Sequence, residues 1–263
     1  VSDAPQFGEL FDLSGKTAFV PGGYGGIGEA IAWGLGRHGV KVAVAGRDLA
    51  KAEALARRMH DAGVAAMGLA VDAHSVASIR AAVDRIADTW GTVDILMNCV
   101  GIQREQALLD VTEDAWDEIT DVNLKAAMFA AQAVARKQIA SGRGGRVVHL
   151  LSVRAQLGMR DRGYSAYCST KGGLAMLVKQ HAVELARHGI TVNGIAPTVV
   201  RGEMGRHWLD NPVTAKAIVE RIPLGRVAEP RDIVGAAIFF CAPAADFITG
   251  QILYADGGLT ATQ

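Results

Sequence analysis

Two rhythms of apolar residues alternate along this chain from one end to the other. Short apolar runs at residues 16–20, 41–45, 67–71, 94–97, 146–151, 191–195 and 251–254 have the length of buried strands. Between them, residues 28–38, 50–60, 79–89, 113–139 and 166–187 repeat apolar side chains at helical spacing, the last ending at Gly189. Strand and helix in alternation predict an α/β fold, a mostly parallel sheet with helices on both faces. No linker, compositional break or internal repeat divides residues 1–263, so one domain is expected, with residues 1–12 as an N-terminal extension. The least regular stretches, 153–163 and 198–224, each follow a strand. Ligands of open α/β sheets bind beyond the carboxyl ends of the strands, so these stretches are expected to wall a crevice.

Composition narrows the function classes. Half the residues are apolar, enough for a sizeable core, and few are aromatic, which suits helices packed closely on a parallel sheet. Lys plus Arg balances Asp plus Glu at 27 each, so no net field favours nucleic acid or a membrane surface. The partner expected is a small molecule. Cys99, Cys168 and Cys241 are odd in number and lack metal-ligand spacing, which predicts no disulfide framework, no metal and a reducing, cytoplasmic setting. Cys168 adjoins Tyr167 and is read as a small packing residue. The first thirteen residues lack the basic-then-apolar layout of a signal peptide, and no apolar run is long enough to span a bilayer.

The first strand runs into Pro21-Gly22-Gly23-Tyr24-Gly25-Gly26-Ile27-Gly28. Glycine permits a sharp turn and lets a pyrophosphate approach backbone N–H groups, while the following helix directs its positive end at the phosphates. A strand before and a helix after favour a dinucleotide site over a simple tight turn. Gly23, Gly25 and Gly28 fit one glycine spacing; Gly22, Gly26 and Gly28 fit a wider one. The second strand ends at Gly46, followed by Arg47 and Asp48. Asp48 has the spacing of a ribose-binding acid, but its place before a helix reads as an N-cap. Arg47 can pair with a 2′-phosphate, which favours NADP(H) over NAD(H). Asp72, closing the third strand, is a candidate for the adenine amino group or for a helix cap.

Tyr167 and Lys171 lie four apart at the start of a helical stretch and share one face. A free phenol has a pKa of about 10. A neighbouring ammonium and a cationic nicotinamide ring stabilise phenolate, which suits Tyr167 to general acid or base work. Ser152 follows the fifth strand, where a hydroxyl can bond the reacting oxygen. Asn123 stands in the middle of a helical stretch, where Asn is unfavourable unless solvated or employed.

With these residues in place, the chain resembles the short-chain dehydrogenase/reductase family over about residues 13–258. The motifs are the turn at Gly22, Gly26 and Gly28, Met97-Asn98-Cys99-Val100-Gly101, the tetrad Asn123, Ser152, Tyr167 and Lys171, Val192 to Pro197, and Asp256-Gly257-Gly258. The resemblance implies a Rossmann-type doubly wound sheet of about seven parallel strands. It implies NAD(P)-dependent interconversion of a secondary alcohol and a ketone. Tyr167 would transfer the proton, Ser152 position the substrate oxygen, Lys171 hold the nicotinamide ribose and lower the Tyr167 pKa, and Asn123 anchor a relay water. It further implies cofactor contacts from Tyr24, Ile27, Asn98, Gly101, Pro197 and Val200, and a homotetramer built through residues 113–139, 166–187 and the C-terminal strand. Pro21, Cys99, Thr198 and Gly202 depart from the family's usual residues around the cofactor, and the loop between Ser152 and Tyr167 is slightly long.

Within the family, Gly101 to Arg104 and Glu184 to His188 are most similar to the gluconate 5-dehydrogenase group. Arg104, Arg154, Arg160 and Arg162 follow strand ends or lie before Tyr167. One or two of them, Arg104 and Arg154 first, are expected to clamp an anionic substrate such as a sugar acid. The competing readings are a 3-oxoacyl thioester reductase, a small-ketone or cyclic-alcohol dehydrogenase, and a non-catalytic cofactor-binding protein.

Overall fold

The computed structural model describes residues 7–160 and 162–262; the first six residues of the expected extension lie outside them. The strands are β1 (Thr17–Pro21), β2 (Lys41–Gly46), β3 (Ala66–Ala70), β4 (Ile95–Asn98), β5 (Gly145–Leu150), β6 (Ile190–Pro197) and β7 (Ile252–Ala255). They pair in parallel throughout, in the order β3-β2-β1-β4-β5-β6-β7. The order reverses between β1 and β4, which opens a crevice above their carboxyl ends.

The helices are α1 (Gly26–Arg37), α2 (Leu49–Asp61), α3 (Val76–Trp90), α4 (Glu113–Thr120), α5 (Ala126–Ser141), α6 (Ser165–Leu185), α7 (Arg206–Leu209), α8 (Pro212–Glu220) and α9 (Arg231–Cys241). Successive strand residues face opposite sides, so β1 divides its side chains between two cores. Ala18 and Val20 pack with Ile31 and Leu35 of α1, Met59 of α2 and Ile233 of α9. Phe19 packs on the other face with Ile86 of α3 and Val134 of α5.

The structure departs from the sequence reading in three places. The expected helix over residues 113–139 is interrupted by a π turn at Asp121–Lys125, centred on Asn123. Such turns insert a residue into the helical ladder and often mark functional sites. Helix α9 was not expected; it follows Pro230 and buries Ile233, Ala237, Ile238 and Phe240. The irregular stretch 198–224 carries α7 and α8, the latter capped by Asn211, whose side chain accepts from the N–H groups of Val213 and Thr214. Among the described residues no helix is long and apolar enough to cross a membrane, and no metal-binding cluster of His, Cys, Asp or Glu occurs.

Asp94 holds the two strands at the reversal together. Its carboxylate accepts from the Thr17 backbone N–H at 2.9 Å and the Thr17 hydroxyl at 3.0 Å, and pairs with Arg143 at 3.0 Å. We predict that Asp94→Ala lowers stability by about 2–3 kcal/mol, since charged hydrogen bonds to buried groups are lost. Urea unfolding measures this; an unchanged midpoint would show that the β1–β4 pairing does not need the carboxylate.

Candidate active site

The glycine turn selects the wider of the two spacings. Gly22 and Gly26 have positive φ values of 76° and 27°. A Cβ on Gly22 would stand 2.7 Å from the Cys99 carbonyl, and one on Gly28 would stand 2.2 Å from the Gly22 carbonyl oxygen. Gly25 has neither constraint, with its nearest neighbour at 3.9 Å. Nothing lies within 4 Å of a Cβ built on Gly26, so the turn opens upward at the start of α1. The first N–H groups of a helix lack intrahelical acceptors, so this opening fits a diphosphate. Pro21 costs the turn little, because the N–H groups of Gly22 and Gly23 both donate to Ala45 O, at 2.8 and 3.3 Å.

At the end of β2, a Cβ on Gly46 would fall 2.3 Å from the Tyr24 ring. The Tyr24 hydroxyl accepts from the Asp48 N–H at 3.0 Å. Asp48 is an N-cap, accepting from Lys51 N–H at 3.1 Å, so the cap reading holds over the ribose reading. Arg47 beside it is exposed. Asp72 is also exposed, but it does not cap α3: its carboxylate accepts from His74 N–H, and Ser75 is the cap. Asn98 departs from expectation. It is buried, bonded to His149 Nδ1 at 3.2 Å, and accepts from Val100 N–H at 3.3 Å, so its side chain shapes the turn after β4 rather than facing the crevice.

Ser152, Tyr167 and Lys171 come from two elements and line one cavity of about 160 Å³. Ser152 follows β5, and its hydroxyl accepts from Arg154 N–H at 3.2 Å. Tyr167 and Lys171 lie one turn apart on α6, with the ammonium 5.6 Å from the phenol ring centre. Lys171 is only 3% exposed, and Nζ donates to Leu150 O at 2.9 Å. Burial brings its ammonium down to about 8. Burial likewise pushes the Tyr167 phenol up to about 12, offset in part by a hydrogen bond with Ser152. The expected depression of Tyr167 is therefore not met in the protein alone, because desolvation outweighs the attraction of neighbouring charges.

Asn123 is fully buried at the π turn. Its Oδ1 accepts from Ile102 N–H at 2.8 Å, and its Nδ2 donates to Ile102 O at 2.9 Å and Thr170 Oγ1 at 3.2 Å. Protein groups engage both ends of the amide, so the side chain pins the segment after β4 to α6 instead of standing free for the expected water. Gly101 lies in that segment; a Cβ there would stand 3.5 Å from Lys171 Nζ. Ile27, Pro197 and Val200 also border the cavity.

The arginines divide. Arg104 does not line the cavity; it is exposed and paired with Glu118 at 2.7 Å. This corrects the expected Arg104 clamp: its neighbour Gln103 turns inward instead. Arg162 pairs with Glu105 and Arg160 is exposed. Arg154 does line the cavity, but its Nη1 donates to the carbonyls of Leu157 and Gly158, at 3.2 and 2.5 Å. It braces the loop before Tyr167. Sequence reasoning missed Gln103, Tyr164, Met204 and Trp208 as wall residues. Burial raises the Cys168 thiol, in keeping with a packing role.

Known proteins resemble the chain over nearly its whole length. The family model described as enoyl-(acyl carrier protein) reductase matches residues 23–260. The chain is 34% identical to 5-keto-D-gluconate 5-reductase of Escherichia coli K12, over 95% of this chain and 98% of that protein. It is 36% identical to sorbitol dehydrogenase of Cereibacter sphaeroides, over 94% of this chain and 98% of that protein. A crystal structure of gluconate 5-dehydrogenase from Burkholderia cenocepacia, in complex with NADP and tartrate, superposes with a TM-score of 0.93 at 37% identity, covering 97% of this chain and 99% of that one.

The buried ammonium yields a pH prediction. With Lys171 near 8 in the folded protein and 10.5 unfolded, the unfolded chain binds more protons between those values. Stability conferred on the native state by the loss of that proton therefore rises with pH through this window. Urea unfolding from pH 8 to 9.5 is expected to show wild type gaining on Lys171→Met by an amount of order 1 kcal/mol per pH unit. A constant difference would mean that the ammonium is better solvated than its burial implies.

Proposed function

Because the chain belongs to the short-chain dehydrogenase/reductase family, and is thereby an NAD(P)-dependent oxidoreductase, we propose that it interconverts a secondary alcohol and a ketone on a sugar acid or related polyhydroxylated compound, with NADP(H) preferred. The observation that carries this reading is the meeting of Ser152, Tyr167 and Lys171 at one cavity beside the glycine turn. The nicotinamide cofactor supplies the hydride. Gly26, Ile27 and Gly28 would present backbone N–H groups to its diphosphate where Gly22 lets the chain turn, Asp72 would reach the adenine, and Gly101, Pro197 and Val200 would border the nicotinamide half. In reduction, the Tyr167 hydroxyl gives its proton to the carbonyl oxygen while the Ser152 hydroxyl holds that oxygen in place. In oxidation, Tyr167 takes the proton back. The Lys171 ammonium binds the nicotinamide ribose and stabilises the phenolate. Asn123 keeps the segment at Ile102 against α6.

Two observations support NADP(H). The Tyr24 ring occupies the space that an acidic side chain at Gly46 would need, and Arg47 is the exposed cation at that strand end. The relatives named above act, by their names, on gluconate derivatives and sorbitol, which supports a polyhydroxylated substrate. Assembly as a homotetramer fits the exposed Met176 and Val183 on α6 and the exposed Phe247 before β7.

Fluorescence titration is expected to show tighter binding of NADPH than of NADH, with the difference lost in Arg47→Ala. Equal affinities would overturn the NADP(H) preference. Tyr167→Phe is expected to lower kcat at least about a hundredfold while the cofactor still binds. Retained turnover would move the proton transfer to another group.

A further inference from the structure

The wall of the cavity away from the glycine turn carries three polar groups that the reaction above does not use. Gln103 comes from the segment after β4, Tyr164 immediately precedes α6, and Trp208 lies on α7; all three line the cavity. Tyr164 stands three residues before Tyr167, and the two rings meet edge to face at 5.9 Å. Trp208 packs on Tyr164 at 6.2 Å. The corner is therefore one ring away from the reacting oxygen.

Its hydrogen-bonding inventory is incomplete. Gln103 Nε2 donates to the Tyr164 hydroxyl oxygen at 2.5 Å. The phenol proton, the second Nε2 proton and Gln103 Oε1 then have no partner among the described residues. Turning the amide over, so that Oε1 accepts from the phenol, leaves both Nε2 protons and the phenol oxygen, the same count of two donors and one acceptor. Trp208 is 8% exposed, and its Nε1–H has no partner among the described residues. A buried donor without an acceptor is destabilising, so Trp208 Nε1–H is a group that a ligand oxygen would satisfy. With Trp208 the corner offers three donors and one acceptor, without charge; a hydroxyl takes two of the donors on its oxygen and gives its proton to the acceptor. A carboxylate has nothing to give Gln103 Oε1, and an acyl chain would leave all three groups unmet. Burial also holds the Tyr164 phenol in its protonated, neutral form.

The nearby cations are engaged elsewhere. Arg104 pairs with Glu118 outside the cavity, Arg162 pairs with Glu105, and Arg154 is tied to the carbonyls of Leu157 and Gly158.

We propose that Gln103, Tyr164 and Trp208 read a substrate hydroxyl next to the reacting carbon, so that the substrate class is a vicinal diol and its α-hydroxyketone. This rests on the oxidoreductase reading given above and sharpens it: selectivity lies in a neutral hydroxyl subsite rather than in a carboxylate clamp.

The test compares matched alcohols with NADP⁺. Cyclohexane-1,2-diol is set against cyclohexanol, and butane-2,3-diol against butan-2-ol, alongside linear four- to six-carbon polyols. Wild type is expected to favour the diols in kcat/KM by at least about tenfold, as a site that bonds a substrate hydroxyl discriminates against its absence. Tyr164→Phe keeps the ring packing, and Gln103→Leu nearly keeps the volume. In each, the diol-to-monoalcohol ratio is expected to fall at least about tenfold, mainly through KM, with NADPH titration reporting the intact fold. A ratio unchanged in both variants, or no diol preference in wild type, overturns the subsite. Reduction of 3-oxoacyl thioesters without diol preference overturns it while sparing the alcohol–ketone chemistry. NADPH binding with no turnover of any alcohol or ketone removes the oxidoreductase reading, and the subsite with it.

Discussion

The site depends on one buried ammonium. Lys171 is almost fully enclosed, and its Nζ donates to the last carbonyl of β5. An ammonium in that position is costly unless neighbouring groups compensate it, so its surroundings are tightly constrained. Strand β5 must end at Leu150 with its carbonyl turned toward α6, which brings Ser152 to the cavity two residues later. Helix α6 must begin early enough to carry Tyr167 one turn before the lysine. The segment after β4 must pass close by with little side chain, as Gly101 does. Asn123 fixes that segment from the π turn. Three parts of the chain distant in sequence are thus held in register by a single charge.

The division of labour across the cavity follows from rigidity. Tyr167, Lys171 and Ser152 sit on or directly beside regular elements packed into the core. The opposite wall comes from Val199, Met204 and Trp208 and the loop braced by Arg154, which are less regular. Chemistry needs fixed geometry, whereas selectivity can reside in segments that vary without disturbing the sheet. The same logic applies at the cofactor end. The close approach of Gly22 to Cys99 is set by the backbone, whereas Arg47, the residue we propose as the reader of the 2′-phosphate, stands exposed past the end of β2.

Most of the framework was legible in the sequence. All seven strands stand where apolar runs lie between turn residues, because a strand buried on both faces has few other compositions. The glycine turn and the tyrosine–lysine spacing were legible because backbone approach and helix periodicity restrict residue type. The break at Asn123 was visible only as an awkward polar residue; whether the helix bends there depends on the tertiary bonds to Ile102. Helix α9 was missed although Pro230 and the following apolar residues signal it. Side-chain direction was the main thing beyond reach. Gln103 and Arg104 are adjacent, both follow β4, and nothing in their order tells which faces the cavity. Glu118, in α4, drew Arg104 outward. Nor could spacing show that burial would outweigh charge at Tyr167.

In the proposed reaction, Tyr167 becomes a usable base through Lys171 once the cationic ring of the oxidised cofactor is beside it. The most direct measurement is the pH dependence of kcat/KM for alcohol oxidation at saturating NADP⁺, in wild type and in Lys171→Met. Wild type is expected to show an apparent pKa well below that of free tyrosine, about 10. In Lys171→Met the limb should move to higher pH and the rate should fall across the range. An identical limb in both proteins would contradict the account and place the titrating base elsewhere.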